Sequence, residues 1–351
     1  MGTRQPKGRS GGRPTLEEVA ARAGVGRGTV SRVINGSPRV SAPTRAAVEE
    51  AVAELGYVPN TAARALAANR TDSIAVVVPE PESRFFAEPY FSDIIHGVGA
   101  ALADTDLQLL LTFAGGDRER RRLAQYLSAH RVDGVLLVSV HADDPLPDLL
   151  RQLDIPAVIS GRRRADEPLP SVDSDNLAGA RAAVTHLLSR GRRAIATITG
   201  RLDVYGAQLR LDGYRAALAE AGYGPDESLT ARADFTEEGG RRAMAELLAR
   251  RPDLDAVFAA SDVMAAGARQ VLRQEGRRIP DDVALVGFDD SAIARHMDPP
   301  LTSVRQPIVE MGRTMTDVLL AEIADPRPPA ARHLTRSRIV LPTELVHRAS
   351  S

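Results

Sequence analysis

A small all-α helix-turn-helix head joined by a hinge helix to an α/β body of two doubly wound parallel-sheet subdomains is the architecture that three features of this chain predict. Residues Thr15 to Asn35, TLEEVAARAGVGRGTVSRVIN, read as a helix, a tight turn and a second helix. From Ser73 onward short β-branched runs alternate with helical segments, the pattern of parallel sheets covered on both faces. The charge also changes sign along the chain. Residues 1–70 carry eleven basic and five acidic side chains, +6, and the rest carry 34 and 41, −7, within an overall −1.

The head is legible helix by helix. Thr15 and Glu18 stand at capping-box spacing, Leu16, Val19, Ala20 and Ala23 share one face, and Gly24 supplies the left-handed cap. In the second helix Val30, Val33 and Ile34 point back to the first, which leaves Arg27, Gly28, Thr29, Ser31 and Arg32 to solvent. A third helix opens at Ser41, aligns Val48, Ala51, Val52 and Leu55, and stops at Gly56. Two packed helices alone are the bland reading of such a pattern; the basic head favours phosphate contact and DNA. Gly24, Gly26 and Gly28 imitate part of a dinucleotide fingerprint, but a helix precedes them where that fingerprint needs a strand.

Residues 1–14, basic and rich in Gly, Ser and Pro, read as a disordered arm, and residues 15–58 as the DNA-binding domain. Residues 59–70 carry helix formers and an Asn60 cap but little apolar face beyond Leu66. They are either a flexible linker or a marginal hinge helix that orders on DNA, where Leu66 wedges between minor-groove base steps.

The α/β body is expected over residues 71–345. Its strand runs are Ile74 to Val78, Leu107 to Thr112, Val132 to Val138, Ala157 to Ile159, Ala194 to Ile198, Ala256 to Ala259 and Val283 to Phe288. Seven or more strands fit two halves better than one sheet, and the cleft between halves is the natural ligand site. The first half is expected at about 71–170 plus 305–330, the second at about 171–304 plus 331–345.

Composition narrows the function classes. The chain has no cysteine and seven scattered histidines, so disulfides, thiolate metal sites and cysteine nucleophiles are excluded and no metal or cofactor is expected. No apolar run approaches the roughly 20 residues that span a bilayer, and the basic N-terminus lacks an export signal's apolar segment. A cytoplasmic protein without membrane contact is expected.

The blocks TLEEVAARAGV, TVSRVING, VSAPTR, LGYVPN with ARAL, VDGVLL, DNLAGA, GYRAAL, ASDVMAAGA, IPDDVALVGFDD, PPLTSVRQP and LPTELV resemble the LacI/GalR family of bacterial transcription regulators, from Thr15 to about Arg348. The resemblance implies a periplasmic-binding-protein-like body and a homodimer reading a palindromic double-stranded DNA operator, most simply as a repressor. By position in the motif, Arg27, Gly28 and Arg32 match base-reading residues, and arginine there is suited to bidentate contact with guanine. Thr29, Ser31 and Asn35 hold phosphates or the turn. Ala63 and Leu66 match the minor-groove hinge positions.

For the small-molecule effector, expected to be a sugar, the resemblance points to Tyr90 and Phe91, which equally suit an ordinary core. It also points to Arg162, Arg210, Phe235, Asp289 and, more weakly, Ser261 and Gln306. Arg210 and Asp289 offer a donor and an acceptor to vicinal hydroxyls, and Phe235 a flat apolar face. Gly161 stands where some relatives carry an acidic ligand residue and Arg162 to Arg164 follow, which leaves room for an anionic or modified sugar, or for a solvated loop. Effector in the cleft would change the angle of the halves and the spacing of paired hinges, with either sign of coupling. A periplasmic-type solute-binding protein would share the body but needs an export signal and no DNA head. An enzyme on this scaffold needs a nucleophile, metal cluster or phosphate loop, and none is evident.

Overall fold

The computed structural model describes residues 14–34, 37–58, 70–325, 327 and 337–351. Of the residues singled out above, Asn35, Asn60, Ala63 and Leu66 lie outside this range, as do nearly all of the basic arm and the hinge. The chain divides into two compact units, Met1–Thr71 and Asp72–Ser351.

The first unit holds α1 (Leu16–Ala23), α2 (Arg27–Ile34) and α3 (Ala42–Leu55). The capping box forms: the Glu18 N–H donates to Thr15 Oγ1 at 3.3 Å, and the Thr15 N–H donates to Glu18 Oε2 at 2.7 Å. Gly24 and Gly56 end α1 and α3 at φ 66° and 62°, the left-handed region that glycine enters without strain. Val19, Ala20, Val30, Val33, Val48, Ala51 and Tyr57 bury together as one small core.

The second unit is two-lobed. Its strands are β1 (Ser73–Val78), β2 (Gln108–Phe113), β3 (Gly134–Leu137), β4 (Ala157–Ser160), β5 (Ser171–Ser174), β6 (Ile195–Thr199), β7 (Thr230–Arg232), β8 (Ala256–Ala259), β9 (Ala284–Asp289), β10 (Thr302–Arg305), β11 (Arg338–Leu341) and β12 (Glu344–Val346). Its helices are α4 (Glu82–Ala87), α5 (Pro89–Leu102), α6 (Asp117–Ser128), α7 (Leu146–Gln152), α8 (Asn176–Ser189), α9 (Tyr205–Glu220), α10 (Glu237–Arg250), α11 (Asp262–Gln274), α12 (Ala292–His296) and α13 (Ile308–Ala324).

One sheet runs β11-β5-β4-β3-β1-β2 with every pair parallel; the other runs β12-β10-β9-β8-β6-β7, with β12 alone antiparallel. Strand alternation divides each lobe's core in two. In the first lobe Ile74, Val76 and Val78 pack with residues of α5 and α13, whereas Ala75 and Val77 pack with residues of α6 and α7. In the second, Ile198, Val257 and Leu285 face α10 and α11, and Phe258, Val286 and Phe288 face α8 and α9.

The lobe boundaries differ from the sequence expectation by whole strands. Residues 171–174 and 338–341, expected in the second lobe, pair with each other in the first sheet, and 302–305 closes onto β9 in the second. The chain therefore crosses between lobes after β5, after β10 and after β11. The three crossings are tied together: the Asp175 N–H donates to the Leu341 carbonyl at 2.9 Å, the Thr343 hydroxyl donates to the Asp175 carbonyl at 3.2 Å, and the Ser174 hydroxyl donates to Gln306 Oε1.

Candidate nucleic-acid interface and ligand cleft

In the head, packing of Val30 and Val33 turns the other face of α2 outward. Arg27, Gly28 and Arg32 are exposed, and Thr29 and Ser31 are half-buried. Arg27 Nη1 lies 2.9 Å from Glu17 Oε1 in an exposed ion pair, an interaction weak enough in water to yield to a phosphate or base. A Cβ on Gly28 would stand 3.8 Å from Arg32 Nη2. The missing side chain one turn earlier thus leaves the Arg32 guanidinium room along the helix.

The cleft of the body collects the C-terminal ends of strands from both sheets and encloses about 900 Å3 of space not filled by protein atoms, open solvent included. All eight effector candidates line it: Tyr90, Phe91, Arg162, Arg210, Phe235, Ser261, Asp289 and Gln306. Residues in and beside the cleft are held in costly backbone conformations. Ser139, Phe235, Asp289 and Asp290 have φ of 64°, 68°, 110° and 55°, and non-glycine residues in that region concentrate where a site over-determines the backbone.

Arg210, on α9, is fixed from three sides. Its Nε donates to Asn176 Oδ1 at 2.8 Å, its Nη1 donates to the Ala260 carbonyl at 2.5 Å, and its guanidinium lies 3.8 Å from the Phe288 ring centre. Asp289, at the end of β9, sits 3.7 Å from Arg210 Nη1 and accepts from Gln306 Nε2 at 2.6 Å. Burial pushes the Asp289 carboxyl up and the Arg210 guanidinium down, and the opposite charge of each partner works against both shifts. Phe235 lies against the backbone at Gly200, where a Cβ would come within 2.0 Å of its Cζ.

On the first lobe, the Tyr90 hydroxyl and the Ser160 hydroxyl are 2.6 Å apart, and burial pushes the Tyr90 phenol up to about 12. Phe91 serves the core as well as the cleft, buried among Ile94, Val98 and Met311. Asp173, on β5, accepts from the Ser174 N–H and Asn176 Nδ2, both at 2.9 Å. Burial raises its carboxyl to about 6 against the pull of Arg162. Ser261 lines the second lobe's side while its hydroxyl accepts from the Met264 N–H at 3.2 Å, capping α11.

The arginine run after β4 separates into three unlike positions. Arg163 is buried against Glu167 at 2.8 Å and Asp148 at 2.7 Å and donates to the Asp144 carbonyl. Arg164 pairs on the surface with Asp166 at 2.9 Å. Arg162 alone lines the cleft, stacked at 4.4 Å over Tyr205. The run is therefore no cluster of cations, and Glu88, Asp93, Asp173 and Asp289 share the lining with Arg84, Arg162 and Arg210. Gly161 has φ 71°, a conformation that disfavours the acidic residue some relatives carry there.

Sequence reasoning missed Arg84, Glu88, Asp173 and Asn176. Arg84 bonds Glu80 and Glu88, each at 2.6 Å, and its guanidinium lies 5.4 Å from the Phe235 ring centre across the cleft. The polar run Ser171-Val-Asp-Ser-Asp-Asn176 was the available signal, since a buried strand so rich in acceptors needs something to bind.

A three-helix unit with an outward arginine face, followed by a two-lobed body with a polar cleft, is the arrangement of a ligand-responsive DNA-binding regulator. The comparisons with known proteins agree. Residues 15–60 match the model of bacterial regulatory proteins of the lacI family, and residues 184–351 that of a periplasmic binding protein-like domain. The HTH-type transcriptional regulator CelR of Thermobifida fusca is 50% identical over 340 residues, covering 96% of this chain and 98% of CelR. The ribose operon repressor of Escherichia coli K12 is 34% identical, covering 96% and 99%. Among solved structures, a CelR–cellobiose complex matches with TM-score 0.76 at 49% identity, over 97% of this chain and 100% of that one. The lac repressor dimer bound to operator and the anti-inducer ONPF matches with TM-score 0.83 at 28% identity, over 97% and 99%. The chain belongs to the LacI family of DNA-binding transcriptional regulators.

Proposed function

We propose that this protein is a homodimeric transcriptional repressor whose operator affinity is set by a neutral sugar of disaccharide size, with cellobiose the leading candidate, bound in the body's cleft. The observation that carries the reading is the buried Arg210–Asp289 pair, which shares the cleft lining with the Phe235 ring. A donor and an acceptor fixed side by side suit vicinal hydroxyls, and an aromatic face suits the apolar side of a sugar ring. Four acids among the lining residues match its three arginines, so the lining offers an anion no excess of cations. CelR, 49% identical where solved, is complexed with cellobiose, and the lac repressor is solved as a dimer on its operator.

Arg32 and Arg27 are assigned to base readout, Thr29 and Ser31 to phosphates. The solute-binding alternative leaves the head unused. Thermal-shift titration of the full chain with cellobiose, glucose, ribose and glucose 6-phosphate tests the ligand: cellobiose is expected to raise the melting temperature most, and a shift by the phosphate alone sinks the reading. The sugar is expected back unchanged from chromatography. Operator binding with and without cellobiose then gives the sign of the coupling. Arg32→Ala is expected to cost specific binding about 1–3 kcal/mol while sparing non-specific binding; equal losses on both would refute base readout.

A further inference from the structure

Arg162 is a buried arginine with open donors. It is 7% exposed, and its Nε and Nη1 have no hydrogen-bond partner although both are buried. Leaving charged donors unmade in a buried site is costly, and this guanidinium lines the ligand cleft. Its flat face is engaged: it stacks over Tyr205, the first residue of α9 and a member of the opposite lobe, at 4.4 Å.

Tyr205 belongs to a segment that the first lobe already grips. Two residues earlier, Asp203 Oδ2 lies 3.1 Å from His141 Nδ1, and the Asp203 carbonyl accepts from the Ala142 N–H at 2.8 Å. His141 is anchored in its own lobe through Nε2, 2.7 Å from Glu80 Oε1. Asp203 is anchored in its own through Arg201, whose Nε and Nη2 lie 3.1 and 2.5 Å from its carboxylate oxygens. The loops after β3 and β4 thus clasp residues 203–205 of the second lobe. The His141 and Asp203 contacts are complete within the protein; Arg162 has capacity to spare.

We propose that Arg162 is the residue through which the effector draws the lobes together, donating one of its open N–H groups to a sugar oxygen while its face rests on Tyr205. This rests on the reading of the cleft as a neutral-sugar site. The acceptor is a hydroxyl: Asp173, whose charge is coupled to Arg162, leaves no room for a second anion, and a hydroxyl both accepts from the arginine and donates to a carboxylate. Contact to that one hydroxyl therefore selects the sugar and closes the clasp in the same step. The platform is the aromatic face of Tyr205, so its phenol oxygen is dispensable.

The test is calorimetric titration of the full-length protein with cellobiose and its singly deoxygenated analogues. In the wild type one deoxy position is expected to lose roughly tenfold or more in affinity, the scale of a hydrogen bond to a charged donor. Arg162→Met should weaken cellobiose binding by a similar factor and erase the discrimination at that position while keeping the others. Tyr205→Leu should give the same position-selective loss, and Tyr205→Phe should behave as wild type. Unchanged discrimination in Arg162→Met, or a uniform loss at every position together with a lowered urea midpoint, would overturn the assignment. Asp289→Asn separates it from the underlying reading: if that variant loses cellobiose while Arg162→Met retains wild-type discrimination, the sugar site stands and the clasp role falls. A wild type that binds no neutral sugar overturns both.

Discussion

The cleft is built from side chains that would be liabilities anywhere else. Asp173 carries its carboxyl from 3.8 up to about 6, through burial that Arg162 only partly offsets. The native state therefore holds a proton that the unfolded chain releases between about pH 4 and pH 6. Stability is highest below the unfolded value and falls as pH rises through the native one, staying low above it. Asp173→Asn keeps an acceptor for the Ser174 N–H and removes the charge. It is expected to stabilise the body at pH 8 by on the order of 2 kcal/mol relative to its effect at pH 4. Urea unfolding of both proteins at the two pH values measures this, and an equal effect at both pH values rules it out. At this scale the sequence was readable where a residue's chemistry is local. Arg210 and Asp289 were reached through the family resemblance, and their donor and acceptor chemistry suits the site it implied. Arg162 to Arg164 misled because a run of like charges says nothing about which guanidinium turns inward, and Glu167 and Asp148 claim the middle one from positions 4 and 15 residues away.

Among the elements, the strands that were legible are the apolar ones. Ser73–Val78, Ala256–Ala259 and Ala284–Asp289 are wrapped on both faces and therefore read as unbroken runs. Ser171–Ser174 and Thr302–Arg305 were missed as strands, and the first was assigned to the wrong lobe. The polar groups of the first serve the crossings and the cleft, and the hydroxyls of the second bond Asp262, Asp290 and the C-terminal residues Arg348 and Ser351, which erases the apolar signature while leaving the backbone ladder intact. The helix-turn-helix was read nearly to the residue because capping boxes and glycine caps are short-range devices. The end of β6 carries a testable constraint of the same local kind. Strand and helix part at Gly200 so that the Phe235 ring can lie on bare backbone, with its Cζ 2.0 Å from where a Cβ would be. Gly200→Ala is expected to displace the ring and weaken sugar binding at least tenfold, with little change in operator affinity in the absence of sugar. Calorimetry and an operator gel-shift assay read the two quantities, and an unaltered sugar affinity would show that the ring is not part of the binding surface.

For the whole molecule, charge separates the two binding functions. The first 70 residues carry +6 and the remainder −7, so polyanion binding belongs to the head, while the body repels free phosphate esters and nucleic acid at long range. The cleft continues this bias locally, since Arg84 is spent on Glu80 and Glu88 and Arg210 faces Asp289. Two salt dependences follow from one sequence. Operator affinity should fall steeply as salt rises, its logarithm losing about 0.9 per decade for each phosphate neutralised by the head. Sugar affinity should stay flat over the same range, because an uncharged ligand releases no counterions and the ion pairs around it are buried from screening. Fluorescence anisotropy with labelled operator and calorimetry with cellobiose, each from 50 to 400 mM potassium chloride (about an eightfold span, wide enough to resolve a slope of one), provide the measurement. A cellobiose affinity that fell in parallel with DNA affinity would mean that binding the neutral sugar breaks or forms screened ion pairs, and the picture of a cleft whose ion pairs are buried from salt would have to be abandoned.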